Sequence, residues 1–222
     1  MEGTAMKMIV FGDIHEDKEN AAKIDGIGDA DYVIITGDLT NYAGADKARE
    51  IIEFTSRCNP HIYAQAGNLD QKEVNDYLDE LGINLHANGF DLKGVGIFGV
   101  GGSNQTPFNT PIEYTEEEIE EYIQRGYEKI KHLPLKILVP HTPPYETAVD
   151  VVGGGAHVGS IAVRKFIETY EPQLCLTGHI HEAAGTDKIG KTIIINPGML
   201  KDGGYIEVTE NKGELAANLK KI

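Results

Sequence analysis

Asp13, His15, Asp38, Asn68, His141, His179 and His181 are oxygen and nitrogen donors that fall just after short apolar runs ending in Gly or Pro. Met8-Ile9-Val10-Phe11 runs into Gly12-Asp13-Ile14-His15, Tyr32 to Thr36 into Gly37-Asp38, and Ile62 to Ala66 into Gly67-Asn68. Ile137 to Pro140 leads to His141, and Leu174 to Thr177 leads to Gly178-His179-Ile180-His181. Buried strands read as continuous apolar runs, and α/β sheets bind ligands beyond the carboxyl ends of their strands. The seven donors are therefore expected to converge on one crevice. Two carboxylates, one amide and four imidazoles suit first-row divalent metals and are too many for one ion.

Each donor alone has a plainer reading. Asp38 could be a turn aspartate, Asn68 a residue tolerating left-handed backbone, and His141, before Thr142-Pro143-Pro144, a solvated histidine at a rigid turn. Asp13 and His15, two apart, share a side if the chain is extended there. Their joint occurrence at strand ends argues for metal.

In order, Asp13-x-His15, Gly37-Asp38, Gly67-Asn68-x-Asp70, His141 and Gly178-His179-x-His181 resemble the motif series of the calcineurin-like metallophosphoesterases. The resemblance implies an α/β fold of two mixed β-sheets packed as a sandwich with flanking helices. It implies that Asp13, His15 and His181 hold one ion, that Asn68, His141 and His179 hold the other, and that Asp38 bridges both. A metal-bridging hydroxide would then attack phosphorus in line. On this pattern Asp38 and Asn68 count as catalytic. Imidazole-rich ligation argues against calcium and leaves manganese, iron, nickel, cobalt and zinc open, with manganese favoured.

Leu69 departs from the pattern. Many members carry His there, a source of the proton for the leaving alkoxide, and Leu donates none. Members lacking that His are phosphodiesterases, so the resemblance implies a phosphodiesterase acting on a small phosphorylated substrate. The alternatives are a phosphomonoesterase or protein phosphatase on the same site, or a non-catalytic interaction module of the same fold. Asp70 reads either as a support of the site or, with Glu73, as a helix cap, and the cap is favoured.

Two loops are candidates for substrate contact. His157, in the stretch Gly153 to Ser160, reads either as a phosphate contact and replacement acid or as part of a loop whose glycines serve only the turn. Asn104 is the best substrate-contacting residue of the other loop, which runs to Pro111. The glutamates at 116, 117, 118, 120 and 121 read as a solvated first helical turn. His61, His86 and His132 are assigned to structure or surface.

The elements that must position these groups announce themselves by period. Helices are expected from Asp46, carrying Ala48, Ile51, Ile52 and Thr55, and from Asp70, carrying Val74, Tyr77, Leu78 and Leu81 and ending at Gly82. Two more follow, from Thr115 with Glu118 and from Ser160, the latter carrying Ile161, Val163, Phe166 and Ile167. Strand and helix alternate to about Tyr170, which predicts parallel strands. After Gly185 come a turn at 188–191, strands at 192–195 and 205–209, and a hairpin turn at 211–213 into a short final strand. With 85–90 and 95–100, these are expected to form the second sheet.

A chain of 222 residues and 24.2 kDa reads as one domain, 1–222, with 1–5 as a loose tail. Its 35 acidic and 20 basic residues give a net charge of -15, about -11 with two divalent ions bound. Such a surface repels long nucleic acid. Cys58 and Cys175 lack CxxC spacing and read as reduced thiols of a cytoplasmic protein, and neither a signal peptide nor a membrane span is expected.

Overall fold

The first strand alternates Met6, Met8 and Val10 with Ile9 and Phe11, and both sets are buried, which requires apolar layers on its two faces. A computed structural model describes residues 6–222; the expected tail at 1–5 lies outside them. In chain order the elements are β1 (Met6–Phe11), β2 (Tyr32–Ile35), α1 (Ala45–Cys58), β3 (Ile62–Ala64), α2 (Glu73–Glu80), β4 (Asn88–Leu92), β5 (Val95–Val100), β6 (Ser103–Asn104), β7 (Glu113–Tyr114), α3 (Glu116–Ile130), β8 (Leu135–Pro140), β9 (Val151–Val152), β10 (Ala156–His157), α4 (Ile161–Tyr170), β11 (Leu174–Leu176), β12 (Gly185–Ile189), β13 (Thr192–Asn196), β14 (Gly204–Asn211) and β15 (Glu214–Lys221).

One mixed sheet has the order β15-β14-β1-β2-β3, parallel from β1 to β3. The other has the order β12-β13-β11-β8-β5-β4, parallel from β13 to β5 and antiparallel at both edges. Met8, Val10 and Ile34 of the first meet Ile97, Ile137 and Val139 of the second in a core between the sheets. Outside the first sheet, Ile9, Phe11 and Ile35 pack on Ile51 of α1 and Leu78 of α2. Outside the second, Phe98, Leu138 and Ile194 pack on Ile123 of α3 and on Val163 and Phe166 of α4. The result is the expected α/β sandwich of two mixed sheets flanked by helices. Among the described residues, no helix is long and apolar enough to cross a membrane.

Several local expectations are corrected. The β14–β15 hairpin belongs to the first sheet, where β14 pairs antiparallel with β1, and β15 is eight residues long rather than short. Asp46 is not a cap: Gly44 precedes α1 with no side-chain cap bond, and Asp46 lies in the first turn, where its charge suits the positive helix end. Helix α2 begins after Lys72, so Asp70 does not cap it either. Thr115 and Glu118 do form a reciprocal capping box, and the Ser160 hydroxyl accepts from Val163 N at 3.2 Å. Ile161 is exposed, whereas the buried face of α4 is Ala162, Val163, Phe166 and Ile167.

Candidate metal centre

The parallel strands β1, β2, β3, β8 and β11 all point their carboxyl ends to one edge of the sandwich, and the seven donors stand just beyond them. Asp13 and His15 are not in extended chain. Both have φ of 47°, Asp38 has 49° and His179 68°, so four of the seven occupy the left-handed region that non-glycine residues avoid. Such conformations cost of order 1–3 kcal/mol each and persist where surrounding structure imposes them, typically at functional sites. Here the loops impose them: Ile14 N and His15 N both donate to Asp38 O, and His179 N donates to the Asp13 carboxylate.

Donor atoms of Asp13, His15, Asp38 and His181 lie within 4.8 Å of one another. His181 Nε2 is 3.1 Å from Asp13 Oδ1 and 3.0 Å from His15 Nε2, while His15 Nε2 is 3.9 Å from Asp38 Oδ2. On the other side of Asp38, His141 Nε2 lies 3.5 Å from Asp38 Oδ2 and 3.2 Å from Asn68 Oδ1. The His179 ring sits 5.2 Å from that of His141. Asp38 thus stands between two groups of donors.

Whether a cation fits follows from the lone pairs. His141 Nδ1 is 3.1 Å from the carbonyl of Thr36, which can only accept, so Nδ1 carries the hydrogen. In the neutral ring Nε2 then presents its lone pair to Asn68 Oδ1 and Asp38 Oδ2, and only a proton or a metal ion relieves that crowding. The Asn68 oxygen is aimed by its own amide, since Nδ2 donates to Thr110 Oγ1, which donates to Glu113. Asp13 and Asp38 are buried, and among the described residues no Lys or Arg pairs with either. A buried carboxylate is costly unless a cation faces it, and here that cation is either a proton on a neighbouring imidazole or a metal ion. The donors therefore fit a divalent ion.

The titration preferences have the same origin. Burial lowers the pKa of His141, but Asp38 outweighs it and pushes the ring up to about 9. Burial would raise Asp38, yet the charge and hydrogen bond of His141 hold it below the usual carboxylate range. Burial takes His179 down to about 4, leaving a neutral donor. His181 is raised, because its bond to Asp13 overcomes desolvation.

Asp70 proves to be a tie between loops. Fully buried, it accepts from Leu39 N at 3.0 Å, Thr40 N at 2.7 Å, Thr40 Oγ1 at 2.8 Å and Gly67 N at 2.8 Å. These groups adjoin Asp38 and Asn68. Burial and the charge of Asp38 push its pKa up to about 7. Its partners lie up to 31 residues away, so local spacing suggested only a cap.

Above the donors opens a cavity of about 640 Å³, lined in part by Asp38, Asn68, His179 and His181. His157 and Asn104 line it too, though neither belongs to the donor cluster. His157 Nδ1 is 2.6 Å from Asp150 Oδ1, and Asp150 is buried and fixed by Thr147 N and Gly159 N. Sequence reasoning missed Asp150, Thr110 and Glu113, which carry no spacing signal. The amide of Asn104 is bonded within the protein: Nδ2 donates to Val158 O and Oδ1 accepts from Thr142. It joins the two loops from the cavity wall, with a second amide hydrogen and a second oxygen lone pair still available. Glu116 is not simply solvated, because it accepts from Ser160 Oγ and Ala162 N at the cavity wall.

Residues 6–183 match the calcineurin-like phosphoesterase family. An uncharacterized protein of Methanocaldococcus jannaschii is 39% identical over 174 residues, covering 76% of this chain and 77% of its own. A UPF0046 protein of Caenorhabditis elegans is 28% identical, covering 91% of this chain and 72% of its own. Among solved structures, TT1561 of Thermus thermophilus shares the fold, with a TM-score of 0.71 at 22% identity over 97% of this chain and 99% of that one. The chain belongs to the calcineurin-like phosphoesterase family, phosphoric ester hydrolases that typically depend on divalent metal.

Proposed function

We propose that the protein is a two-metal phosphodiesterase acting on a small phosphorylated substrate in the cytoplasm, a setting that its two free thiols support. The observation that carries the diester reading is Leu69. It lines the cavity directly after Asn68, where many members of the family present an imidazole, and it gives an alkoxide no proton. Two divalent ions, manganese favoured, would polarise the phosphoryl oxygens and bring a bound water's pKa toward neutrality. Asp13, His15 and His181 would hold one, Asn68, His141 and His179 the other, and Asp38 both. Thr36 O fixes the tautomer of His141, and Thr110 aims the oxygen of Asn68.

A phosphomonoesterase on the same site is the second reading, favoured by the Asp150–His157 pair. Asp150 holds Nδ1–H, which leaves Nε2 of this cavity-lining ring to carry a proton to a leaving oxygen. The test is a panel of p-nitrophenyl phosphomonoester and phosphodiesters with chelator-stripped protein reloaded with Mn, Co, Ni, Zn or Fe(II). The diester reading expects kcat/KM at least tenfold higher for diesters with the best metal. The reverse order, with a loss of monoesterase activity in His157→Ala, establishes the second reading. Failure to retain metal or cleave any ester would leave a non-catalytic module.

A further inference from the structure

Phe108, Ile161 and Tyr42 are the three most exposed large apolar side chains among the described residues, at 77%, 58% and 54% of their surface. All three line the one cavity that rises from the metal centre. Elsewhere, scattered exposed apolar residues need no explanation; gathered at the mouth of a candidate active site, they mark a binding surface. Leu69, Tyr145 and Val158 continue the same wall inward.

This wall is built, not incidental. Tyr42 is held in left-handed backbone, φ 56°, with its N–H on the carbonyl of Leu69 at 2.9 Å. Phe108 N donates to Thr106 Oγ1, which donates to Glu113 at 2.6 Å. The Asn104 amide ties this loop to Val158 in the facing one. Ile161 occupies the first position of α4, where the cap needs only a backbone and a polar residue would cost nothing.

Charge narrows the ligand further. Neither Lys nor Arg lines the cavity, and besides histidines its charged members are Asp38 and Glu116, the latter already engaged with Ser160 and Ala162. A second phosphate or a carboxylate on the substrate would meet no counter-charge there. Resting on the phosphodiesterase reading, we infer that the ester group carried beyond the scissile phosphate is bulky, uncharged and apolar, aromatic or long-chain alkyl, and that Tyr42, Phe108 and Ile161 select it.

The experiment uses p-nitrophenyl phosphodiesters that share one leaving group and differ in the other ester: methyl, phenyl, 1-naphthyl, octyl and 4-carboxyphenyl. With metal-loaded protein, kcat/KM should rise roughly tenfold or more from methyl to naphthyl or octyl, in proportion to the apolar area removed from water. Naphthyl above octyl identifies an aromatic group and the reverse an alkyl chain; the 4-carboxyphenyl ester should fall back toward methyl. Phe108→Ser and Ile161→Ser, both at exposed positions, should each cut the naphthyl-to-methyl ratio at least threefold. Equal turnover across the series, or a carboxylate as good as phenyl, overturns this inference while the phosphodiesterase reading stands. No turnover of any ester with any metal overturns both.

Discussion

Replacing Asp70 by Ala distinguishes a loop tie from a helix cap by magnitude. Loss of an N-cap side chain costs about 1 kcal/mol and stays local to the helix. Removal of the tie would strand three backbone amides, those of Leu39, Thr40 and Gly67, in a region where the carboxylate is wholly buried. The Thr40 hydroxyl has an alternative, because it already reaches the carbonyl of Ala43 at 3.0 Å. At about 1–3 kcal/mol for each orphaned donor, with some relief from water entering the vacated space, the loss should be about 3–5 kcal/mol. Asp70→Asn keeps one acceptor oxygen and should fall between Ala and wild type. Urea unfolding of chelator-treated protein gives the stability without a contribution from bound metal, provided the m-value is unchanged. Because the stranded amides flank Asp38 and Asn68, metal affinity should also fall, by about 10- to 100-fold. A loss of 1 kcal/mol or less in Asp70→Ala, with metal titration unaltered, would refute the tie.

Two further perturbations probe packing and titration. At Gly178 an added Cβ would meet Asp13 Oδ2 at 2.5 Å, so Gly178→Ala should cost about 1–3 kcal/mol and weaken metal binding, measured by unfolding and by metal titration; Gly82→Ala, with φ of 69° and nothing near its Cβ, is the control that should leave metal binding intact. His86, whose Nδ1 accepts from Gly101 N, is lowered to about 4 by burial and the charge of Arg125, so it stays neutral in the fold while the unfolded chain takes up a proton below pH 6.5. Its stabilisation is complete above pH 6.5 and is lost as pH falls toward 4, by up to about 3 kcal/mol, so the stability difference between wild type and His86→Gln should shrink over that window; a difference independent of pH would count against the shift.

What could be read from the sequence was local or periodic. Thr115 with Glu118, and Ser160, cap their helices because cap and amide lie within one turn of chain. The apolar runs became strands with most residues of both faces buried, a pattern that continuous apolarity signals without knowledge of partners. Pairing was a different matter. Nothing in Tyr205 to Thr209 says that β14 lies against β1, some two hundred residues earlier, instead of joining the second sheet. Asp70 failed as a cap for the same reason, its donors being tertiary. The left-handed turns at Asp13 and His15 were equally invisible, since neighbouring loops, not these residues' own preferences, hold them there.

The glycines explain why the motifs are informative only together. A Cβ on Gly37 would press on the His141 ring, one on Gly67 would collide with Asp38, and one on Gly178 would strike Asp13. Each of these three strand-end glycines therefore vacates space for a donor carried by a different strand, not for the donor that follows it in sequence. Gly37-Asp38 reserves the place of His141, Gly67-Asn68 that of Asp38, and Gly178-His179 that of Asp13. Taken singly, a Gly-Asp or Gly-His pair is a turn that any loop could contain. As a set, the pairs are interlocking pieces: a larger residue at one motif displaces the donor of another. The Gly178→Ala experiment reads that interlock directly, because its expected effect on metal binding arises at Asp13, a residue 165 positions away in the chain.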